Sequence, residues 1–365
     1  MVKEIATKHD CSPCSYLSLF LSLDHSLTPM ENSDTNTPTT AEAEVAHDFP
    51  GLIRVFTDGR IQRFKGTDVV PPSTPTTHPV SSKDVNLNPH STLSARLFLP
   101  TLPSINTNHR RSLPLLVYFH GGGFCTSSPF TSTYHHYIAA VAAEAKLVAV
   151  SVQYRLAPEH PIPAAYEDSW AALQWVASHR SNAGPEPWLN ENVDFGRVFL
   201  AGDSAGANIV HNLTMLLGDP DWDIGIDILG VCLVHPYFWG SVPLGSETMD
   251  LDRKAFVNRL WPFVCPESPD NDDPRINPVG EGSPSLAWLG CRRVLICVAE
   301  KDVLKERGWI YYNALSRSGW MGVVEIKETQ GEGHAFHLYD LACDKAQDLI
   351  KSLARFFNRD QPPSI

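Results

Sequence analysis

The sequence predicts an α/β protein built on a doubly wound, mostly parallel sheet. Two observations carry this reading. Short, continuously apolar runs succeed one another after Pro114: LLVYF, KLVAVSV, RVFLAG, ILGVCLV, RVLICVA and GVVEIKE. Unbroken runs of strand length belong to parallel strands covered on both faces. Between them lie segments with helical spacing, YHHYIAAVAAEA, AAYEDSWAALQWVASH, SAGANIVHNLTMLL and VLKERGWIYYNALSRSG. Strands alternating with helix-length connections give a parallel sheet with helices on both faces.

Along the chain, residues 1–45 are expected to be a disordered extension, with Met30 of MENSDTNTPTT as an alternative start. Within it, YLSLFLSL comes after Lys3 and Lys8 like the apolar region of a signal, but Ser and Asp interrupt it and no clear small-residue cleavage site comes next. Order is expected from about Val45, and residues 46–360 are expected to form one domain. LIRVFTDGRIQRF reads as a hairpin about Asp58-Gly59, and DVNLNPHSTLSARLFLP as a strand pair. Pro-, Thr- and Ser-rich stretches mark loops at Thr35 to Thr40 and Pro71 to Pro79. Two regions, 45–75 and 235–285, break the regular winding; the second carries HPYFWGSVP and RLWPFVCPESPD. Both are candidates for a lid.

Composition narrows the function. With 365 residues and 43% hydrophobic content, the chain can bury a large core. Its 29 Lys+Arg against 41 Asp+Glu give a formal charge of -12 with no basic run, so nucleic acid is not an expected partner. No run reaches the ~18 apolar residues of a membrane span. The 8 cysteines lack the density of a disulfide framework, which points to a reducing, cytoplasmic location. Cys11 and Cys14 form a C-x-x-C with no second pair at zinc-finger spacing, so they are read as two unrelated thiols. The sequon Asn212-Leu213-Thr214 falls on a helix behind the candidate nucleophile, where a glycan has no room.

Ligands of open parallel sheets bind beyond the carboxyl ends of the strands, so the residues after each strand matter most. After RVFLA comes Gly202-Asp203-Ser204-Ala205-Gly206, a G-x-S-x-G turn between strand and helix that holds a serine out as a nucleophile. After LLVYF comes His120-Gly121-Gly122-Gly123-Phe124, whose bare backbone can aim N–H groups at an oxyanion, together with the N–H of Ala205. After RVLICVA comes Glu300-Lys301-Asp302, and after GVVEIKE comes Gly331-Glu332-Gly333-His334-Ala335-Phe336-His337. A glycine turn, a loop Asp or a loop His each has an ordinary structural reading when it stands alone. Their joint order of Ser, acid, His is that of a hydrolase triad. Asp302 is preferred to Glu300 because it lies further out of the strand. His334 is preferred to His337 because Gly331 and Gly333 free its loop to turn inward, whereas His337 is expected to begin the C-terminal helix. The YRLAPEHPIP segment from Tyr154 to Pro163 reads as a brace beneath the glycine loop. Tyr237, Phe238, Trp239, Trp261 and Phe263 are candidates for an apolar pocket wall, although aromatics are more often core.

HGGGF, YRLAPEHPIPAAYEDSWAALQWV, AGDSAGANIVHN, HPYFWG, AEKDVLKERG and SGWMGVVE together resemble the plant carboxylesterase family, the hormone-sensitive-lipase-like branch of α/β-hydrolases, from about Asp48 to Phe357. The resemblance implies an α/β-hydrolase fold with a mostly parallel eight-stranded sheet and a lid from the N-terminal and 235–285 segments. It implies nucleophile Ser204, acid Asp302 and base His334, with an oxyanion hole at Gly121, Gly122, Gly123 and Ala205. Gly122, Gly123 and Ala205 would be its donors, and Gly121 would shape the loop. A small-molecule ester is the implied substrate, with no metal or organic cofactor. The same family includes 2-hydroxyisoflavanone dehydratases, which perform elimination, and gibberellin receptors, which lack the catalytic histidine that His334 matches here. HGGGFC with Cys125 resembles the dehydratases, though Cys125 serves equally as a small packing residue. Oligomeric state is not legible.

Overall fold

The computed structural model describes residues 43–74, 79–88, 92–101 and 112–359. Cys11, Cys14, Met30 and nearly all of the expected disordered extension lie outside them.

The described residues open with a small antiparallel sheet of β1 (Val45–Phe49), β2 (Ile53–Phe56) and β3 (Ile61–Arg63). The hairpin read at Asp58-Gly59 joins β2 to β3, with Gly59 at φ +84, and β1 adds a third strand that the hairpin signal did not contain. The main sheet begins with β4 (Val80–Asn86), β5 (Ser94–Pro100) and β6 (Leu113–Phe119). It continues through α1 (Ser132–Ala145), β7 (Val148–Gln153), α2 (Ala164–Ala177) and α3 (Pro187–Asn192). Next come β8 (Val193–Asp203), α4 (Ala205–Leu216), β9 (Ile228–Val234) and α5 (Leu251–Val264). The chain closes with β10 (Arg293–Ala299), α6 (Lys305–Arg317), β11 (Val323–Thr329) and α7 (Asp344–Asn358).

Eight strands form the main sheet in the order β11-β10-β9-β8-β6-β7-β5-β4, parallel except where β5 runs against both neighbours. Side chains alternate across it. In β6, Leu115, Val117 and Phe119 join the core beneath α2, α4 and α6. Leu116 and Tyr118 face the other way, toward Ile138 and Val141 of α1 and Leu349 and Leu353 of α7. That period of two, buried on both faces, is why the runs read as unbroken apolar strings.

Two elements differ from expectation. The 235–285 region contains the 14-residue helix α5, which the sequence hides because Pro262 sits inside it. A proline cannot donate to the carbonyl four residues back, and that carbonyl, of Asn258, instead accepts the Asn271 side-chain amide at 3.1 Å. At the other end, α7 begins at Asp344 rather than at His337, which lies in a separate 3-10 turn, Phe336–Leu338.

Close packing where β8 meets α4 makes the glycine at position 206 structural. A Cβ on Gly206 would lie 1.9 Å from the Phe119 carbonyl oxygen, a backbone atom of β6 that cannot step aside. Gly206→Ala should lower the melting temperature by about 5 °C or more, whereas Gly333→Ala, with nothing within 4 Å, should leave it unchanged in the same calorimetric scan.

Candidate active site

The winding direction reverses at β6: its neighbours in the sheet are β7 on one side and β8 on the other. A crevice therefore opens where β6 and β8 end side by side, and the glycine loop and the candidate nucleophile both emerge there. Ser204 has φ 52 and ψ -116, a conformation rarely held by a residue with a side chain and costing roughly 1–3 kcal/mol. The surrounding backbone holds it, with the Ser204 N–H donating to Val234 O at 2.9 Å and the Tyr237 N–H donating to Ser204 O at 3.0 Å.

Asp302 and His334 arrive from the ends of β10 and β11. His334 Nε2 lies 2.9 Å from Ser204 Oγ, and its Nδ1 lies 2.7 Å from Asp302 Oδ2. Asp302 is buried, and its other oxygen accepts the Leu304 N–H at 3.0 Å. Burial opposes charge on His334, but the Asp302 carboxylate and its hydrogen bond outweigh that and hold the imidazole above its ordinary pKa. Burial would likewise raise Asp302, yet the facing His334 and its hydrogen bond keep the carboxyl below the usual range. The three residues expected to form a triad thus make one connected chain. Glu300 points elsewhere, its carboxylate accepting the Gly331 N–H at 2.6 Å.

The glycine loop divides its amides. Gly121, placed in the oxyanion hole as the residue that shapes its loop and not as a donor, has its N–H spent on Asp203 Oδ1 at 3.0 Å and on the Tyr134 hydroxyl at 2.8 Å. Gly122 and Gly123, both at positive φ, line the cavity, and their N–H groups find no acceptor among the described residues. Ala205 is fully buried as the first residue of α4. Asp203, beside the nucleophile, also accepts from the Tyr118 and Tyr134 hydroxyls at 2.7 and 2.9 Å, so one buried carboxylate ties the loop to the serine turn. Sequence reasoning misses this role, although Asp203 stands inside the pentapeptide. The brace is in place below: the Tyr154 hydroxyl donates to His120 O at 2.7 Å, the Ala157 N–H donates to Phe124 O at 2.8 Å, and the Tyr154 ring stacks on His120 at 4.3 Å.

A cavity of about 560 Å³ opens over Ser204 and His334. Its apolar wall comes from Leu52, Phe256, Val257, Leu260, Val303 and Leu338, so β2's approach and α5 both cover it. Of the aromatic residues expected to form that wall only Tyr237 does. Phe238 packs on Tyr311, Phe263 packs on Phe49, and Trp239 and Trp261 are buried in the core. Clustered aromatics reported lid packing, not the pocket. Cys125 is fully buried beneath the loop, its thiol pushed up by burial, and contacts Gly123 O at 3.1 Å. The described cysteines are all free. Asn212 is buried, its amide spent on Asn208 and Arg275 carbonyls, which leaves a glycan no path. Among the described residues no helix is long and apolar enough to cross a membrane.

Nitrogen and oxygen atoms of His235, Asp302 and His334 lie within 4.8 Å of one another, a spacing that a metal site would share. Asp302 and His334 are engaged with each other, and His235 Nδ1 accepts the Ala335 N–H at 3.0 Å, while His235 Nε2 has no partner among the described residues.

The alpha/beta hydrolase fold family matches residues 116–338 of this chain. Probable carboxylesterase 13 of Arabidopsis thaliana is 45% identical over 328 residues, covering 88% of this chain and 100% of that protein. The chain belongs to the plant carboxylesterase family of α/β hydrolases. Another relative is the 2-hydroxyisoflavanone dehydratase of Glycyrrhiza echinata, 44% identical across 88% of this chain and 99% of its own length. Among solved structures, an esterase of Pyrobaculum calidifontis superposes with a TM-score of 0.62 at 26% identity, covering 76% of this chain and 84% of that one. This carboxylesterase-family chain therefore shares its fold with esterases and most of its length with proteins of two chemistries.

Proposed function

We propose that the protein is a serine carboxylesterase acting on small esters through Ser204, His334 and Asp302. The observation that supports it best is the continuous chain from Ser204 Oγ through His334 to Asp302 at 2.9 and 2.7 Å, opening onto an apolar cavity. His334 takes the Ser204 proton as Oγ attacks the ester carbonyl, and Asp302 fixes the tautomer and stabilises the imidazolium. The oxyanion is received by the Gly122, Gly123 and Ala205 N–H groups, each typically worth about 3 kcal/mol in the transition state. Protonated His334 then gives its proton to the departing alcohol. Water deprotonated by the same imidazole attacks the acyl-serine and releases the acid.

The 44%-identical dehydratase keeps an elimination reading in view. Acyl transfer needs an acyl-enzyme and elimination does not, so rapid quench with p-nitrophenyl acetate separates them: an acetyl adduct on Ser204 supports hydrolysis, and its absence with turnover of a dehydratable substrate supports elimination.

The cavity sets the acyl preference. Each buried methylene contributes about 0.8 kcal/mol until the wall of Leu52, Phe256 and Leu260 is met, after which overpacking reverses the gain. Turnover of p-nitrophenyl acetate or butyrate, as kcat/KM, should exceed that of decanoate and palmitate. Removing residues 1–45 should leave this profile intact, while removing about thirty more should flatten it, because Leu52, Lys65 and Gly66 form part of the cover. A rate still rising at palmitate would mean an open groove.

A further inference from the structure

His235 comes directly after β9, at a strand end of the same sheet edge that carries Ser204, Asp302 and His334, yet it does not line the cavity. It is buried, with a left-handed backbone at φ +46. Its Nδ1 accepts the N–H of Ala335, the residue after His334, at 3.0 Å. Ala335 itself is left-handed at φ +54, an unfavourable conformation for a residue with a Cβ. A buried amide in such a turn needs an acceptor, and one sp² nitrogen lone pair supplies it. The His235 ring also lies 5.8 Å from His334 and 5.3 Å from His337, filling the space behind the loop.

We infer that His235 is a positioning residue: its Nδ1 lone pair holds the Ala335 amide and thereby fixes the turn that aims the His334 imidazole between Ser204 and Asp302. The inference rests on the reading of His334 as the base. It fixes the tautomer of His235, since Nδ1 can accept only if the proton is on Nε2. Burial, with Asp302 opposing and His334 reinforcing it, pulls the His235 pKa down to about 4, so the ring stays neutral near pH 7.

The test separates the lone pair from the volume. An Asn Oδ1 stands one bond beyond Cγ, where Nδ1 stands, and can accept the same amide; a Gln reaches the Nε2 position, and a Phe fills the space with no acceptor. His235→Phe and His235→Gln should lower kcat about a hundredfold, the scale of an ångström-level misplacement, with KM within about threefold. His235→Asn should recover most of that loss. Asn as poor as Phe, or Phe as active as the parent, would overturn the proposal. Should the variants fold poorly, ¹⁵N shifts of the parent protein decide it: an unprotonated Nδ1 with Nε2–H at pH 7 supports the proposal, and Nδ1–H or a charged ring refutes it. Failure of the parent to acylate Ser204 would instead sink the base assignment, and the tautomer readout would be unaffected by it.

Discussion

Ser204→Ala should lower ester turnover by about a millionfold and leave the fold as stable as the parent. The first half rests on chemistry: nucleophile and base act as a unit, so loss of either removes the acyl-enzyme route and leaves only binding and oxyanion stabilisation. The second half rests on the local structure. Among the described residues the Ser204 side chain makes one hydrogen bond, to His334 Nε2, while the backbone bonds to Val234 and Tyr237 survive substitution. Alanine must hold the same φ 52, so the strain is unchanged, and the stability difference should stay within about 0.5 kcal/mol. Paraoxon provides the complementary measurement. Only an activated serine reacts with it quickly, so mass spectrometry should find one adduct, on Ser204, with complete inactivation. Adducts elsewhere with activity retained would remove Ser204 from the mechanism.

Much of this site was legible because a parallel strand signals itself twice, by its unbroken apolar run and by the chemistry of the residues at its carboxyl end. Ser204, Asp302 and His334 all stand at such strand ends, and the structure brings all three within hydrogen-bond contact. His235 stands at one too, after ILGVCLV and at the head of HPYFWG, but that motif assigns the histidine no task, and its role depends on a long-range bond to Ala335 that periodicity cannot show. The lid was harder for a physical reason. Helix α5 sets Phe256 and Phe263 against Phe49 of β1, far away in sequence, and Pro262 masks it until Asn271 is seen to satisfy the orphaned carbonyl. Pocket residues Phe256 and Leu260 look no different in sequence from Trp261 or Phe263, since which face of α5 meets the cavity is set by tertiary packing. Gly121 illustrates a third limit: three consecutive glycines look equivalent, and only the position of Asp203 decides which amide is spent.

His334→Ala should match the Ser204 loss, whereas His337→Ala should keep turnover within about tenfold of the parent while melting earlier, because two histidines three residues apart sit in opposite environments. His334 is one-third exposed to the cavity and bonded at both nitrogens to Ser204 and Asp302. His337 is fully buried, packs its ring 4.8 Å from Tyr137, and has neither nitrogen partnered among the described residues. Burial first, then the nearby His235 and His334, drive its pKa well below the ordinary value, so it stays neutral, and it touches neither Ser204 nor Asp302. Its truncation leaves a cavity, and aromatic-to-alanine changes in a core cost about 3 kcal/mol. The pH profile adds a second signature. A general base must be neutral to accept the Ser204 proton, and Asp302 favours the charged form of His334, raising its pKa despite burial. Activity should therefore be full at high pH and fall as pH drops through a midpoint above about 6.5 in kcat/KM. Asp302→Asn removes the charge that raises it, so the remaining activity should show a midpoint moved to lower pH. A midpoint that stays put in Asp302→Asn, or a His337→Ala variant as inactive as His334→Ala, would mean that another group titrates and that the base has been placed on the wrong histidine.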